Sequence, residues 1–328
     1  MSMCASSVCC SVIYDHLKDS ISYDRMSMLA VLFNVISVGG MGLISVFADR
    51  VENKHTGVRL SALLLFLGYF LPAKFGVDLK VVLLGLGSAA FYSFASSSVL
   101  SRSGGKGRDI GLLIGGTGIG IACASFSGFA GHFFAPLLMI LAIPMDTYPK
   151  PAQTAESADN ETAFSPLPFV FLMLSYLLLS YEFSSFNFSW NVWFKTQFEL
   201  LFAVGLGRAV GGFLSDLTGR MITVAASSSV GTMLIFLSPD NKQLSLLGLF
   251  FLSMSLAPTL TSFARLSPKN PALSFAVMTL AAYLGQVLAN LIDFSRITML
   301  LVCAVLIAVT AAAELPYLSK GANRDEDI

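Results

Sequence analysis

The sequence predicts an all-α polytopic membrane protein with 11–12 transmembrane helices. Of its 328 residues, 55% are hydrophobic and only 12% are charged, whereas soluble domains carry about 25% charged residues. The apolar residues form a series of stretches of the length that a helix needs to cross a bilayer, about 20 residues. The only long polar segment, residues 147–165, lies at mid-chain.

Eleven candidate spans follow one another with short connections, so neighbouring helices should pack antiparallel. The second span is short because Pro72 ends it. Residues 1–17 are mildly apolar but too short for a full span; we favour a short or degraded first helix, which makes twelve, over a bundle that lacks it. The spans are 27–48, 57–72, 79–100, 109–127, 129–145, 166–187, 193–216, 219–238, 243–263, 271–292 and 296–316.

The polar segment 147–165 divides the chain into two halves. Its proline, serine and acidic residues are typical of a flexible linker. We therefore expect an N-terminal bundle over 1–146 and a C-terminal bundle over 166–318. The charged residues of 319–328 form a solvated tail.

Charge and cysteine usage exclude several function classes. The formal net charge is zero, which argues against nucleic-acid binding. With twelve helices both termini are cytoplasmic, and twelve basic residues then face the cytoplasm against six outside, as the positive-inside rule requires. The five cysteines and three histidines show no metal-ligand spacing. Since no catalytic signature is present either, we expect no enzyme activity, no metal and no cofactor.

One of the later spans ends in a segment that contains glycines, an acid and a base: Gly212-Phe-Leu-Ser-Asp216-Leu-Thr-Gly219-Arg220. Gly212 allows two helices to approach closely, and Gly219 permits a tight reversal of the chain. Asp216 falls at the helix end, where it can accept hydrogen bonds from a neighbouring helix N-terminus. An ordinary inter-helix turn with one acid and one base is the alternative.

This loop resembles the G-x-L-x-D-R-x-G-R signature of the major facilitator superfamily (MFS), with Leu217 as the departure. A second, partial copy lies after the first clear span, where Asp49 and Arg50 match and Ser45 and Glu52 replace glycines. The resemblance implies two helical bundles around a central cavity. It also implies a cytoplasmic gate made of Asp49, Arg50, Gly212, Asp216, Gly219 and Arg220.

Further stretches resemble a branch of small bacterial MFS-like membrane proteins. They are Gly85–Tyr92, Gly111–Gly120 and the Ala257-Pro258 region. Ser88 and Tyr92 replace an asparagine and a histidine of that branch. The resemblance implies a bacterial plasma (inner) membrane location.

The glycines of Gly115–Gly120 mimic a phosphate-binding loop. Such a loop needs a preceding strand and a following helix, but these glycines lie inside an apolar span. Close helix packing is the better interpretation.

Arg208 is the main candidate for a functional side chain. It lies eight residues before Asp216, about 12 Å inside the helix end and close to mid-bilayer. An ionisable group there is a functional hypothesis by default. Arg208 would attract an anionic substrate or pair with a carboxylate, and the related branch has a lysine or arginine at this place.

Polar residues within other spans complete the predicted site. Glu182, Lys195 and Glu199 are candidates for proton coupling or an ion pair; Lys195 and Glu199 are one turn apart and can pair. The predicted substrate-binding residues are Arg208, Asn34, Tyr92, Ser96, Gln286 and Asn290.

Together these features predict a secondary active transporter that moves a small solute by alternating access. Its expected partners are the lipid bilayer and the solute, with an anionic solute and protons as candidates, and we expect a monomer. The alternative is a non-transporting MFS-like membrane protein that acts as a sensor or a complex subunit.

Overall fold

The computed structural model describes residues 22–72, 76–103, 106–127, 166–185, 188, 197–237, 240–267, 269–292, 298 and 301–309. All regular structure within these ranges is helical. The helices are α1 (Tyr23–Asn34), α2 (Gly40–Arg50), α3 (Lys54–Phe70), α4 (Val77–Arg102), α5 (Gly107–Ser127), α6 (Pro166–Ser185), α7 (Gln197–Thr218), α8 (Arg220–Leu237), α9 (Lys242–Met254), α10 (Leu256–Leu266) and α11 (Pro271–Leu291). Residues 301–309 are also helical.

The predicted spans agree with these helices. In the described part of the chain, nine of the eleven spans coincide with a helix to within a few residues, and 301–309 falls in the last span. The span 129–145, residues 1–17, the linker 147–165 and the tail 319–328 lie outside the described residues. Among the described residues, six helices are long and apolar enough to cross a membrane: Ser27–Arg50, Val77–Arg102, Phe198–Thr218, Arg220–Leu237, Lys242–Leu266 and Pro271–Leu291.

Local sequence signals set several helix boundaries. The side-chain oxygen of Asn241 accepts hydrogen bonds from the first backbone N–H groups of α9, at 3.1 and 3.2 Å, and Asn53 accepts one from Thr56. Such caps satisfy donors that have no partner within the helix. Pro271 opens α11, where a missing N–H costs nothing. Gly219 takes a φ of +89° between α7 and α8, as the predicted tight reversal requires.

Two of the long spans are irregular at mid-length. A π-helical turn, Val35–Gly39, joins α1 to α2. The other span breaks at Ser255, between α9 and α10, three residues before Pro258. Because proline has no N–H and its ring crowds the carbonyl four residues earlier, the carbonyl of Met254 loses its helical partner. Gly211 of α7 packs directly against that carbonyl.

The helices form two sets, α1–α5 before the polar segment and α6–α11 after it. The sets meet most extensively where α5 packs on α7, and again where α11 packs on α2 and α4. Large apolar side chains such as Leu43 and Leu217 remain exposed, as expected of a surface that faces lipid. Serine and threonine hydroxyls are buried between the helices, where they allow close approach and bond to carbonyls.

Candidate functional site

Two aspartates link the helix sets at one end of the bundle. Asp49, at the end of α2, accepts hydrogen bonds from the backbone N–H groups of Ala272 and Leu273, at 2.9 and 3.0 Å. Ser97 of α4 donates a third bond to the same carboxylate at 2.9 Å. A carboxylate at a helix N-terminus satisfies free donors and complements the helix dipole. Asp49 therefore ties the first set to the start of α11.

Asp216 makes the reciprocal connection. It lies near the end of α7 and accepts hydrogen bonds from the backbone N–H groups of Gly107 and Arg108, at 2.7 and 2.9 Å. These are the first residues of α5. Each set thus supplies one carboxylate that caps a helix of the other set, as predicted for Asp216. We call these two connections the aspartate latches.

The other predicted gate residues lie around the latches. Gly212 contacts the backbone of Gly107 and Gly111 so closely that an added Cβ would lie 2.8 Å from the Gly111 Cα. Arg50 is exposed and Arg220 is partly buried. Both arginines are next to the latch segments in sequence: Arg50 directly follows Asp49, and Arg220 is four residues after Asp216.

A seam of glycines continues from the Asp216 latch along α5 and α7. An added Cβ at Gly115 would lie 2.6 Å from the carbonyl oxygen of Gly205, and one at Gly118 would lie 2.8 Å from the Gly205 Cα. Backbones that approach this closely leave no room for a side chain. The predicted packing role, rather than a phosphate loop, is confirmed for Gly115 and Gly118. We call this contact the glycine seam.

A small cavity of about 70 Å³ lies within the second helix set. Helices α6, α7, α9, α10 and α11 all contribute to its wall, and Arg208 is the charged group in it. If one water molecule takes about 15–30 Å³, the cavity has room for roughly two to five water molecules. Its lining residues are Tyr176, Leu179, Ser180, Arg208, Leu252, Ser253, Leu256, Ala282 and Gln286.

Arg208 enters the cavity from the middle of α7. The side chain is partly buried, and its Nε is fully buried with no hydrogen-bond partner. Among the described residues no carboxylate lies within ion-pair distance of the guanidinium. The phenols of Tyr176 and Tyr92 are close enough to interact with its charge. An ionisable group within a membrane span costs several kcal/mol unless it is paired or hydrated, so an anion that bonds to the guanidinium would stabilise this position.

The remaining predicted substrate residues are distributed unevenly. Gln286 lines the cavity. Asn290, one turn further along α11, is exposed and donates a hydrogen bond to the Gln286 carbonyl at 3.0 Å. Asn34 is partly buried beside the π-helical turn, away from the cavity.

Tyr92 and Ser96 of α4 belong to the first set. The Tyr92 ring stacks on Phe275 of α11, with ring centroids 6.5 Å apart, and so contributes to the contact between the sets. The buried Ser96 donates to the Ser93 carbonyl at 3.1 Å. Neither residue lines the cavity.

The acidic candidates lie at different places. Glu199 forms an ion pair with Lys242 at the start of α9. Both side chains are about two-fifths exposed, at 44% and 40%, so this is a rim pair. Lys195 lies outside the described residues, and the Lys195–Glu199 pair stays a prediction. Glu182 is part of α6, but its side chain is outside the described part.

Sequence reasoning missed the polar wall formed by Tyr176, Ser180 and Ser253. Tyr176 and Ser180 are four residues apart on α6 and therefore share a face. That spacing was a usable signal within an otherwise apolar span. The contribution of Ser253 depends on the packing of α9 against α7, which no local pattern shows.

The fold and its apolar helices define an integral membrane protein of the α-helical class. A solved structure titled as an MFS transporter, FucP, in the outward conformation superimposes with a TM-score of 0.64 over 95% of this chain and 97% of that chain, at 13% identity. The chain therefore has the MFS fold. No protein-family model matches the sequence, and no curated protein does either.

Proposed function

We propose that the protein is a secondary transporter that moves a small solute by alternating access. The observation that carries the proposal is Arg208, a mid-helix cation with an unpartnered Nε, in a cavity of an MFS-fold protein. Because an unpaired buried charge destabilises the protein, its presence favours a role in binding. The solute supplies the missing partner.

The two aspartate latches and the glycine seam close one end of the bundle in this proposal. Bundles 1–146 and 166–318 rock against each other, and the latches break when the closed end opens. The protein lies in a bacterial inner membrane. If both termini are cytoplasmic, the latched end faces the cytoplasm. The protein functions as a monomer, because both latches and the cavity are complete within one chain.

Proton coupling is assigned to Glu182. Glu199 is already engaged in an ion pair with Lys242 at the partly exposed rim, which leaves Glu182 as the acidic candidate within a span. Uptake by the Glu182→Gln variant should lose its pH dependence, whereas uptake by Glu199→Gln should keep it. An unchanged pH profile in Glu182→Gln would exclude Glu182 as the proton carrier.

Opening of the latched end can be tested without knowing the solute. In a variant with all five native cysteines replaced, Ser215→Cys places a thiol at a buried contact between α7 and Gly107. A membrane-impermeant thiol reagent should label it slowly, and Asp216→Asn should accelerate labelling. Ser228→Cys, fully buried within α8, is the matched control and should stay protected.

A non-transporting protein on the same fold is the second candidate, and the glycine seam favours it. Backbone contacts of under 3 Å to an added Cβ run along α5 and α7, which resists separation of the sets. If Ser215→Cys remains protected even when both Asp49→Asn and Asp216→Asn are present, the sets do not separate. The sensor or subunit role is then the better conclusion.

A further inference from the structure

The cavity around Arg208 offers hydrogen-bond donors and positive charge. Ser180 donates its proton to the Ala282 carbonyl at 2.8 Å, and Ser253 donates to the Phe250 carbonyl at 2.9 Å. These two hydroxyls therefore have no proton left for a ligand. The guanidinium of Arg208, the phenol of Tyr176 and the amide of Gln286 are the available donors. Among the described residues that line the cavity there is no carboxylate.

The rest of the wall is apolar, and the space is small. Leu179, Leu252, Leu256 and Ala282 supply carbon surface. The volume of about 70 Å³ admits an ion of only a few heavy atoms. A ring or a long chain does not fit.

We propose that this cavity binds a short-chain monocarboxylate of two or three carbons. The planar fork of a guanidinium matches the two oxygens of a carboxylate, and the leucines contact the methyl or ethyl group. One cation balances one negative charge; a dianion would leave a second charge buried and unpaired. That the monocarboxylate is transported rests on the proposed transport function. That it binds in this cavity does not.

The second helix set alone supplies this site. All nine lining residues come from α6, α7, α9, α10 and α11, so the carboxylate does not bridge the two sets. The ligand would therefore remain with the second bundle while the first bundle moves past it. Tyr92 of α4 interacts electrostatically with Arg208 but does not line the cavity.

The experiment compares acetate with acetamide on the purified full-length protein in detergent, by titration calorimetry and thermal unfolding. The two molecules have nearly the same shape, and only acetate is charged. Acetate and propionate should bind saturably and raise the melting temperature, and acetamide should do neither. Arg208→Gln should weaken acetate binding by at least about thirtyfold. The exposed Arg265, on α10, provides the control Arg265→Gln, which should bind acetate like the wild type.

Several results would overturn the proposal. Equal stabilisation by acetate and acetamide would mean that charge is not recognised. Chloride binding as tightly as acetate would indicate a simple halide site, and benzoate binding as tightly would contradict the size limit. Should Arg208→Gln fail to fold, Arg208→Lys serves instead; it keeps the charge, loses the fork and should bind acetate more weakly. The acetate–acetamide comparison on the wild type needs no variant.

Uptake measurements in liposomes separate this inference from the proposed function. Arg208-dependent acetate binding without acetate uptake would support the site and contradict transport. Uptake of a different solute without acetate binding would support transport and contradict the monocarboxylate site.

Discussion

The carboxylate of Asp216 lies 2.7 Å from the backbone nitrogen of Gly107, 109 positions earlier in the chain. Asp49 bonds in the same manner to Ala272. The two contacts lie at the same end of the bundle and connect the same two helix sets. In each of the two loops, the aspartate thus bonds to the backbone at the N-terminus of a helix in the other set.

Removal of the latches should destabilise the protein and reveal coupling between them. Asp216→Ala and Asp49→Ala should each lower the free energy of unfolding by about 0.5–2 kcal/mol, as loss of a helix cap does elsewhere. If both latches hold one closed arrangement, the double variant should lose less free energy of unfolding than the two single variants lose in sum. Chemical or thermal unfolding in detergent measures this. Strict additivity would show that the latches act independently.

The glycine seam provides a matched pair of neighbouring substitutions. Gly115→Ala should destabilise the protein by about 1–3 kcal/mol, because the new methyl group meets the Gly205 carbonyl and overpacks the contact. Gly116→Ala should be neutral or stabilising by up to about 1 kcal/mol, because nothing lies within 4 Å of the added atom and alanine favours helix. Thermal unfolding compares the two. Equal effects would contradict the close approach of α5 to α7.

Arg208→Met should stabilise the unliganded protein. The substitution removes a cation whose Nε has no partner and keeps a long apolar side chain, so a gain of about 1–3 kcal/mol is expected. The exposed Lys269→Met should change stability by less than about 0.5 kcal/mol. Thermal unfolding without added anions is the measurement. A loss of stability in Arg208→Met would indicate that the arginine makes a structural contact.

The rim pair between Glu199 and Lys242 should contribute little. Both side chains are about two-fifths exposed, and exposed pairs contribute about 0–1 kcal/mol. Glu199→Gln should therefore reduce stability only slightly, and added salt should reduce the difference further. A loss of several kcal/mol would mean that this pair is part of a buried network.

Much of the fold was predictable because membrane spans are local patterns. Hydropathy alone placed nine spans to within a few residues, and Gly219 was correctly predicted as a turn. The sequence indicated that Asp216 would meet a helix N-terminus, but it did not show which helix. Partners 109 and 223 positions away depend on how the two sets pack.

The candidate site was predictable only in part. Arg208 and Gln286 were identified because polar residues within apolar spans are conspicuous. Tyr176, Ser180 and Ser253 were missed because their relevance comes from the cavity that they share. The partner described for Glu199 is Lys242 of another helix, which no spacing along one helix can show, and the pair with Lys195 stays a prediction.

The reciprocal latches impose an order on the biosynthesis of the chain. The first turn of α5 has no carboxylate partner until Asp216 has been synthesised. Asp49 in turn has no partner in α11 until Ala272, 223 residues later, has been synthesised. The first helix set is therefore synthesised before either latch can form. The contacts between the first helix set and the second are completed only after the start of α11 has been synthesised, so a chain truncated before residue 272 lacks one latch entirely.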